Sequence, residues 1–133
     1  MSCKSALYAA MQTPTAVAVG GAIPLGSLIR RYGCDIALNG NAVNLAGTGY
    51  YDVDASITAT LTATGAVTVT LYKDGVAVPG TTATETGAAS GTVNLDLTAL
   101  VRQPCCAAGA VLTLVLTGVE ATVDNVALRV QRI

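Results

Sequence analysis

Apolar and polar residues alternate with a period of two along most of this chain, and that pattern constrains its fold more than anything else. Ile57, Ala59 and Leu61 alternate with Thr58, Thr60 and Thr62. Val67, Val69 and Leu71 alternate with Thr68 and Thr70, and Val93, Leu95 and Leu97 with Asn94, Asp96 and Thr98. Leu112, Leu114 and Leu116 share a face opposite Val111, Thr113 and Val115. Val126, Leu128 and Val130 alternate with Ala127, Arg129 and Gln131. Successive side chains of a strand point to opposite faces, so each run reads as a strand with one side buried.

Turn residues punctuate these runs. Asn39-Gly40-Asn41 and Lys73-Asp74-Gly75 each separate two apolar stretches and read as hairpins. Thr64-Gly65, Pro79-Gly80, Gly87 to Gly91 and Gly118 to Thr122 mark further breaks, and Gly20-Gly21, Asp74 and Asp124-Asn125 read as turn residues. The result is an expectation of about eight to ten short strands in an all-β sandwich or barrel. No linker or charge block divides the chain, so residues 1–133 read as a single domain. Residues 1–15 read as an N-terminal extended arm, with a short helical turn over Ser5 to Met11 as the alternative. Between 13 and 33, Val17/Val19 and Ile23-Pro24-Leu25-Gly26 read as a broken edge strand with a bulge, where proline is tolerated.

Composition excludes several function classes. The chain has no His, so a Ser-His-Asp triad, a Cys-His dyad and an HExxH zinc site are impossible. Seven Lys and Arg stand against eight Asp and Glu, and no basic cluster exists to neutralise phosphates, which argues against a nucleic-acid partner. Arg30-Arg31 is too short for such a patch and reads as pairing with carboxylates at an interface. No stretch approaches the roughly 20 apolar residues of a spanning helix, so no membrane partner is expected. No signal-peptide pattern opens the chain, so it is expected to reach its working place by another route, such as assembly inside a cell followed by release.

Hydrophobic residues make up 52% of the chain and charged residues only 11%. A lone domain of this size keeps much of its surface in water. With so few charges, that surface would expose apolar patches of the kind that mark protein–protein contacts. The expectation is self-assembly; the alternative is a monomer coated with Thr, Ala and Gly.

Three segments, in order, resemble one family. Gly49-Tyr50-Tyr51-Asp52-Val53 resembles the G-x-Y-x-V strand of C1q/TNF-like jelly rolls. Leu71-Tyr72-Lys73-Asp74-Gly75-Val76-Ala77-Val78-Pro79-Gly80 is similar to their L-x-x-N-G-x-x-V-P-G-S hairpin, and Val126 to Ile133 to their closing strand. The likeness is nearest to the bacterial and phage branch, in the heads of spore-surface collagen-like proteins and in phage structural proteins. It implies a ten-stranded jelly-roll β-sandwich that assembles as a homotrimer. With no collagen-like Gly-x-y stretch present, it implies a free-standing head or capsomer-like module. The implied role is structural and non-enzymatic: a capsid decoration or fibre head in a phage virion, contacting capsid or fibre proteins. The alternative is an adhesin or glycan-binding head on a cell or spore surface.

Cys3, Cys34, Cys105 and Cys106 are the most distinctive residues, each near a cation that favours thiolate. They read as disulfide candidates, within or between subunits. Two alternatives stay open: a tetrahedral Cys₄ zinc site, weakened by the absence of any C-x-x-C pair, and free buried thiols. No cofactor is called for. Asp52 and Asp54 share a strand face and could in principle serve glycoside hydrolysis or hold Ca²⁺, but a solvated face is the plainer reading. Tyr50 and Tyr51 are candidates for surface recognition, one of the pair being expected in the core.

Overall fold

The computed structural model describes residues 5–104 and 109–133. Twelve strands occur among them: β1 (Ala6–Met11), β2 (Thr15–Val17), β3 (Ser27–Tyr32), β4 (Ile36–Asn39), β5 (Ala42–Leu45), β6 (Gly49–Leu61), β7 (Gly65–Lys73), β8 (Val76–Ala77), β9 (Ala83–Gly87), β10 (Thr92–Gln103), β11 (Ala110–Gly118) and β12 (Ala121–Arg132). They form two antiparallel sheets. Sheet A runs β10-β6-β12-β1-β3, with β2 also on β12. Sheet B runs β4-β5-β11-β7-β8, with β9 also on β7. From β5 onward the long strands switch repeatedly between the sheets, which makes the sandwich a jelly roll. The count exceeds eight to ten because β2 and β8 are fragments of three and two residues.

The alternation works as expected. Tyr51, Val53, Ala55, Ile57, Ala59 and Leu61 of β6 point inward and are buried; Leu112, Leu114 and Leu116 of β11 meet them from sheet B. The β4–β5 hairpin pairs Ile36 with Leu45 and Leu38 with Val43 around Gly40. The β7–β8 hairpin turns through Asp74 and Gly75, both at positive φ (53° and 82°), as a tight two-residue turn requires. After β11 the chain reverses at Gly118 (φ 91°), where a Cβ would lie 2.2 Å from the Ala66 carbonyl oxygen, so only glycine fits.

Three expectations need restating. The arm segment is extended, but residues 6–11 lie inside sheet A between β12 and β3, because Leu7, Ala9 and Met11 alternate into the core. Asp124-Asn125 is no turn: the pair sits within β12 at a register shift, where the Thr60 hydroxyl bonds the Asp124 carboxylate at 2.6 Å. Between 13 and 33, Gly20-Gly21 and Ile23 bond the backbone of β11 at Leu116 and Leu114, and the chain then forms β3. Among the described residues no helix is long and apolar enough to cross a membrane.

Candidate functional site

Register places a continuous row of outward side chains across sheet A: Thr98, Asp54, Arg129, Tyr8 and Arg30, one from each of β10, β6, β12, β1 and β3. The next row is Leu100, Asp52, Gln131, Ala6 and Tyr32. On the other side of the first row stand Asp96, Ser56, Ala127 and Ala10, small residues apart from the aspartate. These small side chains leave a shallow depression of about 460 Å³ bordered by Tyr8, Asp54, Asp96 and Arg129. A second of about 380 Å³ lies beside it, between Tyr8, Arg30, Tyr32 and Gln131.

Asp52 and Asp54 do share the face, but a cation sits between them. Arg129 donates from one nitrogen to Asp52 at 3.1 Å and to Asp54. The Thr98 hydroxyl hydrogen-bonds the Asp54 carboxylate, and Arg129 adds its charge. Together they hold the Asp54 carboxyl below its usual range, against a desolvation penalty that pulls the other way. A general acid of a glycosidase needs the opposite shift.

Tyr50 and Tyr51 divide as the alternation demands. Tyr50 is 50% exposed, while Tyr51 is fully buried and donates its hydroxyl to the Gly47 carbonyl at 2.6 Å. Tyr51 is therefore a core residue and cannot meet a surface ligand. Burial, and then the nearby negative charge of Asp35, push the Tyr51 hydroxyl pKa up, partly offset by Arg132.

Asp35 and Arg132 form an ion pair with side-chain exposures of only 13% and 16%. Arg132 also donates to the Thr48 carbonyl, and its guanidinium lies against Gly49, where a Cβ would come within 3.0 Å of Nε. The Ser5 hydroxyl accepts from the Asp35 amide at 3.0 Å, and the Ser5 carbonyl accepts from the Arg132 amide at 2.8 Å. The start of the described chain, the β3–β4 connection, the β5–β6 connection and the C-terminal strand are thus tied at one pole of the sandwich. Cys34 is at this pole, beside Asp35, and is disulfide-bonded. Cys3, Cys105 and Cys106 lie outside the described residues.

Among the described residues of this one chain Arg31 pairs with no carboxylate; its Nε donates to the Ile36 carbonyl at 2.7 Å. Arg30 is exposed and makes no ion pair among the described residues. Sequence reasoning missed Arg129, Arg132 and Asp35 as a set, because their partners are 75 to 97 residues away and meet only through sheet register. Tyr8 was within reach: it alternates outward between Leu7 and Ala9.

No family model and no curated protein matches the chain. Solved structures do match its fold. The crystal structure of murine APRIL at pH 8.5 superposes with a TM-score of 0.75 at 12% identity, covering 98% of this chain and 99% of that one. The globular domain of zebrafish complement 1qA gives 0.68 at 7% identity, over 96% and 95%. The PRD1 vertex protein P5 gives 0.64 at 10% identity, over 100% and 99%. The fold is thus the TNF/C1q-like jelly-roll sandwich.

Proposed function

We propose that this chain is a non-enzymatic structural protein that assembles as a homotrimer in a phage virion, as a capsid decoration or fibre head. One observation carries the reading. Ten large hydrophobic residues are exposed among the described ones; six of them lie on sheet A strands (Tyr8, Leu28, Ile29, Tyr32, Tyr50 and Leu100) and only Val76 and Val111 on those of sheet B. Apolar surface gathered on one sheet is what a buried contact needs, and its removal from water contributes about 25 cal/mol per Å². The fold likeness to the PRD1 vertex protein P5 supports a place in a particle. The neutralised Asp52/Asp54 pair supports a role without catalysis, and nothing in the mechanism needs a cofactor, a membrane or nucleic acid.

Mass in solution tests the reading, by light scattering coupled to size exclusion. Three chain masses are expected at neutral pH. A stable single chain at every concentration, with no affinity for particles, would overturn it.

A second reading, a glycan-binding head on a cell or spore surface, draws on Tyr8 and Tyr32 beside Arg30 and Gln131 in the smaller depression, with Tyr50 exposed farther along the sheet. Tyrosine faces flanked by planar polar groups suit sugar rings. Binding on a glycan array that is lost in Tyr32→Ala would favour it over the particle.

A further inference from the structure

We propose that Asn39 is a site of spontaneous covalent modification, where the side-chain amide is lost as ammonia and the β4–β5 turn acquires a carboxylate. Five asparagines occur in the chain, and Asn39 alone is followed by glycine. With no Cβ in the way, a glycine nitrogen can reach the side-chain carbonyl that precedes it. Asn39 and Gly40 are both exposed. Gly40 takes a positive φ of 62°, and a Cβ built on it would meet nothing within 4 Å, so the tip has room for a ring. The Gly40 amide donates to no carbonyl among the described residues, and the Asn39 side chain makes no hydrogen bond there.

The Gly40 nitrogen attacks the Asn39 side-chain carbonyl carbon. The new C–N bond closes a five-membered succinimide, the nitrogen gives up its proton, and the bond to the side-chain amide breaks as ammonia departs. One water then opens the ring. Attack at the side-chain carbonyl leaves aspartate. Attack at the main-chain carbonyl leaves isoaspartate, with the chain rerouted through the former side chain. Water is the sole co-reactant.

A strand residue turns its side chain away from the next amide, so the ring closes only when the turn opens. β4 has four residues and pairs only with β5 at the edge of sheet B, and strand ends of this kind open at small cost. Asp74-Gly75 supplies the contrast. It is the one Asp-Gly pair of the chain, equally exposed and also in a two-residue turn. There the Asp74 carboxylate accepts the Val111 amide at 2.9 Å, and the Asp74 amide donates to the Val111 carbonyl at 2.8 Å. Both bonds hold the side chain off Gly75, and a carboxylate is a poorer electrophile than an amide. The first turn therefore ages and the second does not.

The full chain, held in mildly alkaline buffer and mapped by peptide mass spectrometry, tests the site. The peptide containing Asn39 is expected to gain about 1 Da and to split chromatographically into its two products. That change should run at least about tenfold faster than at Asn41, Asn44, Asn94 or Asn125, none of which precedes glycine. Asn39→Gln, which would have to close a six-membered ring, should abolish the gain while circular dichroism shows the fold intact. An Asn39 that stays unmodified, or a gain that comes first at another asparagine, would overturn the proposal. Isomerisation at Asp74 as fast as the change at Asn39 would overturn the protection assigned to Val111.

Discussion

The two sheets share one core and present opposite outer faces. Nine charged residues lie on the strands of sheet A, and only Lys73 and Glu85 on those of sheet B. Sheet B answers its own polar groups locally: Thr68 and Thr84 bond across strands at 2.9 Å, and Thr70 and Thr82 at 3.2 Å. Such hydroxyl pairs bond each other and ask little of a partner. Sheet A sets exposed aromatic and aliphatic side chains among charges, and Arg30 and Asp96 make no ion pair among the described residues. A low-charge protein thus leaves the strands of one sheet nearly free of charge and gathers its charged and exposed aromatic side chains on the other. Outer-face composition, more than total hydrophobicity, distinguishes the two.

The comparison breaks most severely where the sheets are tied together. Asp35 precedes β4 of sheet B, and Arg132 ends β12 of sheet A. The pair is mostly but not fully buried, so removing one member strands the other charge at a cost near the lower end of the roughly 3–5 kcal/mol of a fully buried pair. Asp35→Ala is therefore expected to lower unfolding stability by roughly 3 kcal/mol in urea titration. A loss below about 1 kcal/mol would place the pair with ordinary surface ion pairs.

The disulfide of Cys34, at the same pole, comes next. We propose that the Cys34 disulfide is an intrachain staple. The described residues nearest the other cysteines gather here: Ser5 on Asp35, and Gln103 opposite Gly49, which lies against Arg132. Reductant is expected to cost about 2–4 kcal/mol of stability and to leave the assembly mass unchanged. Separation of subunits on reduction would make the bond intersubunit instead.

A third test contrasts the faces directly. Leu100→Glu on sheet A is expected to weaken self-association at least about tenfold, since a charge entering a dry contact costs more than 1.4 kcal/mol. Thr84→Glu on sheet B is expected to leave the association constant unchanged. Equal effects of the two substitutions would erase the distinction between the faces.

How much of this was legible follows from what alternation encodes. A period of two records burial on one side, so the inward faces of β6, β7, β10, β11 and β12 could be read residue by residue. The sequence Ser27-Leu28-Ile29-Arg30-Arg31-Tyr32 has no such period because neither side is buried, and β3 left no pattern to read. Register is likewise absent from a single strand. Asp52 and Asp54 could be placed on one face, but that Arg129 stands between them depends on how β12 aligns with β6 across a bulge. The same alternation separated Tyr50 from Tyr51 without saying which of the two was outside.

The smallest expected effect concerns that arginine. Arg129 and Arg132 are three residues apart on β12, but Arg129 is half exposed and its charge is shared by water. Arg129→Ala should cost at most about 1 kcal/mol, and less at high salt. The pH dependence has a definite sign. The folded Asp54 pKa lies below its ordinary value of 3.8, so its contribution is complete at neutral pH and is lost as pH falls below 3.8 through the folded value. Thr98→Val removes the hydrogen bond that is the largest single cause, and Arg129→Ala removes both a hydrogen bond and a charge, so each should raise the Asp54 pKa, as read by NMR titration of the carboxyl carbon. An unchanged value in either variant would strike that side chain from the groups that keep this face ionised.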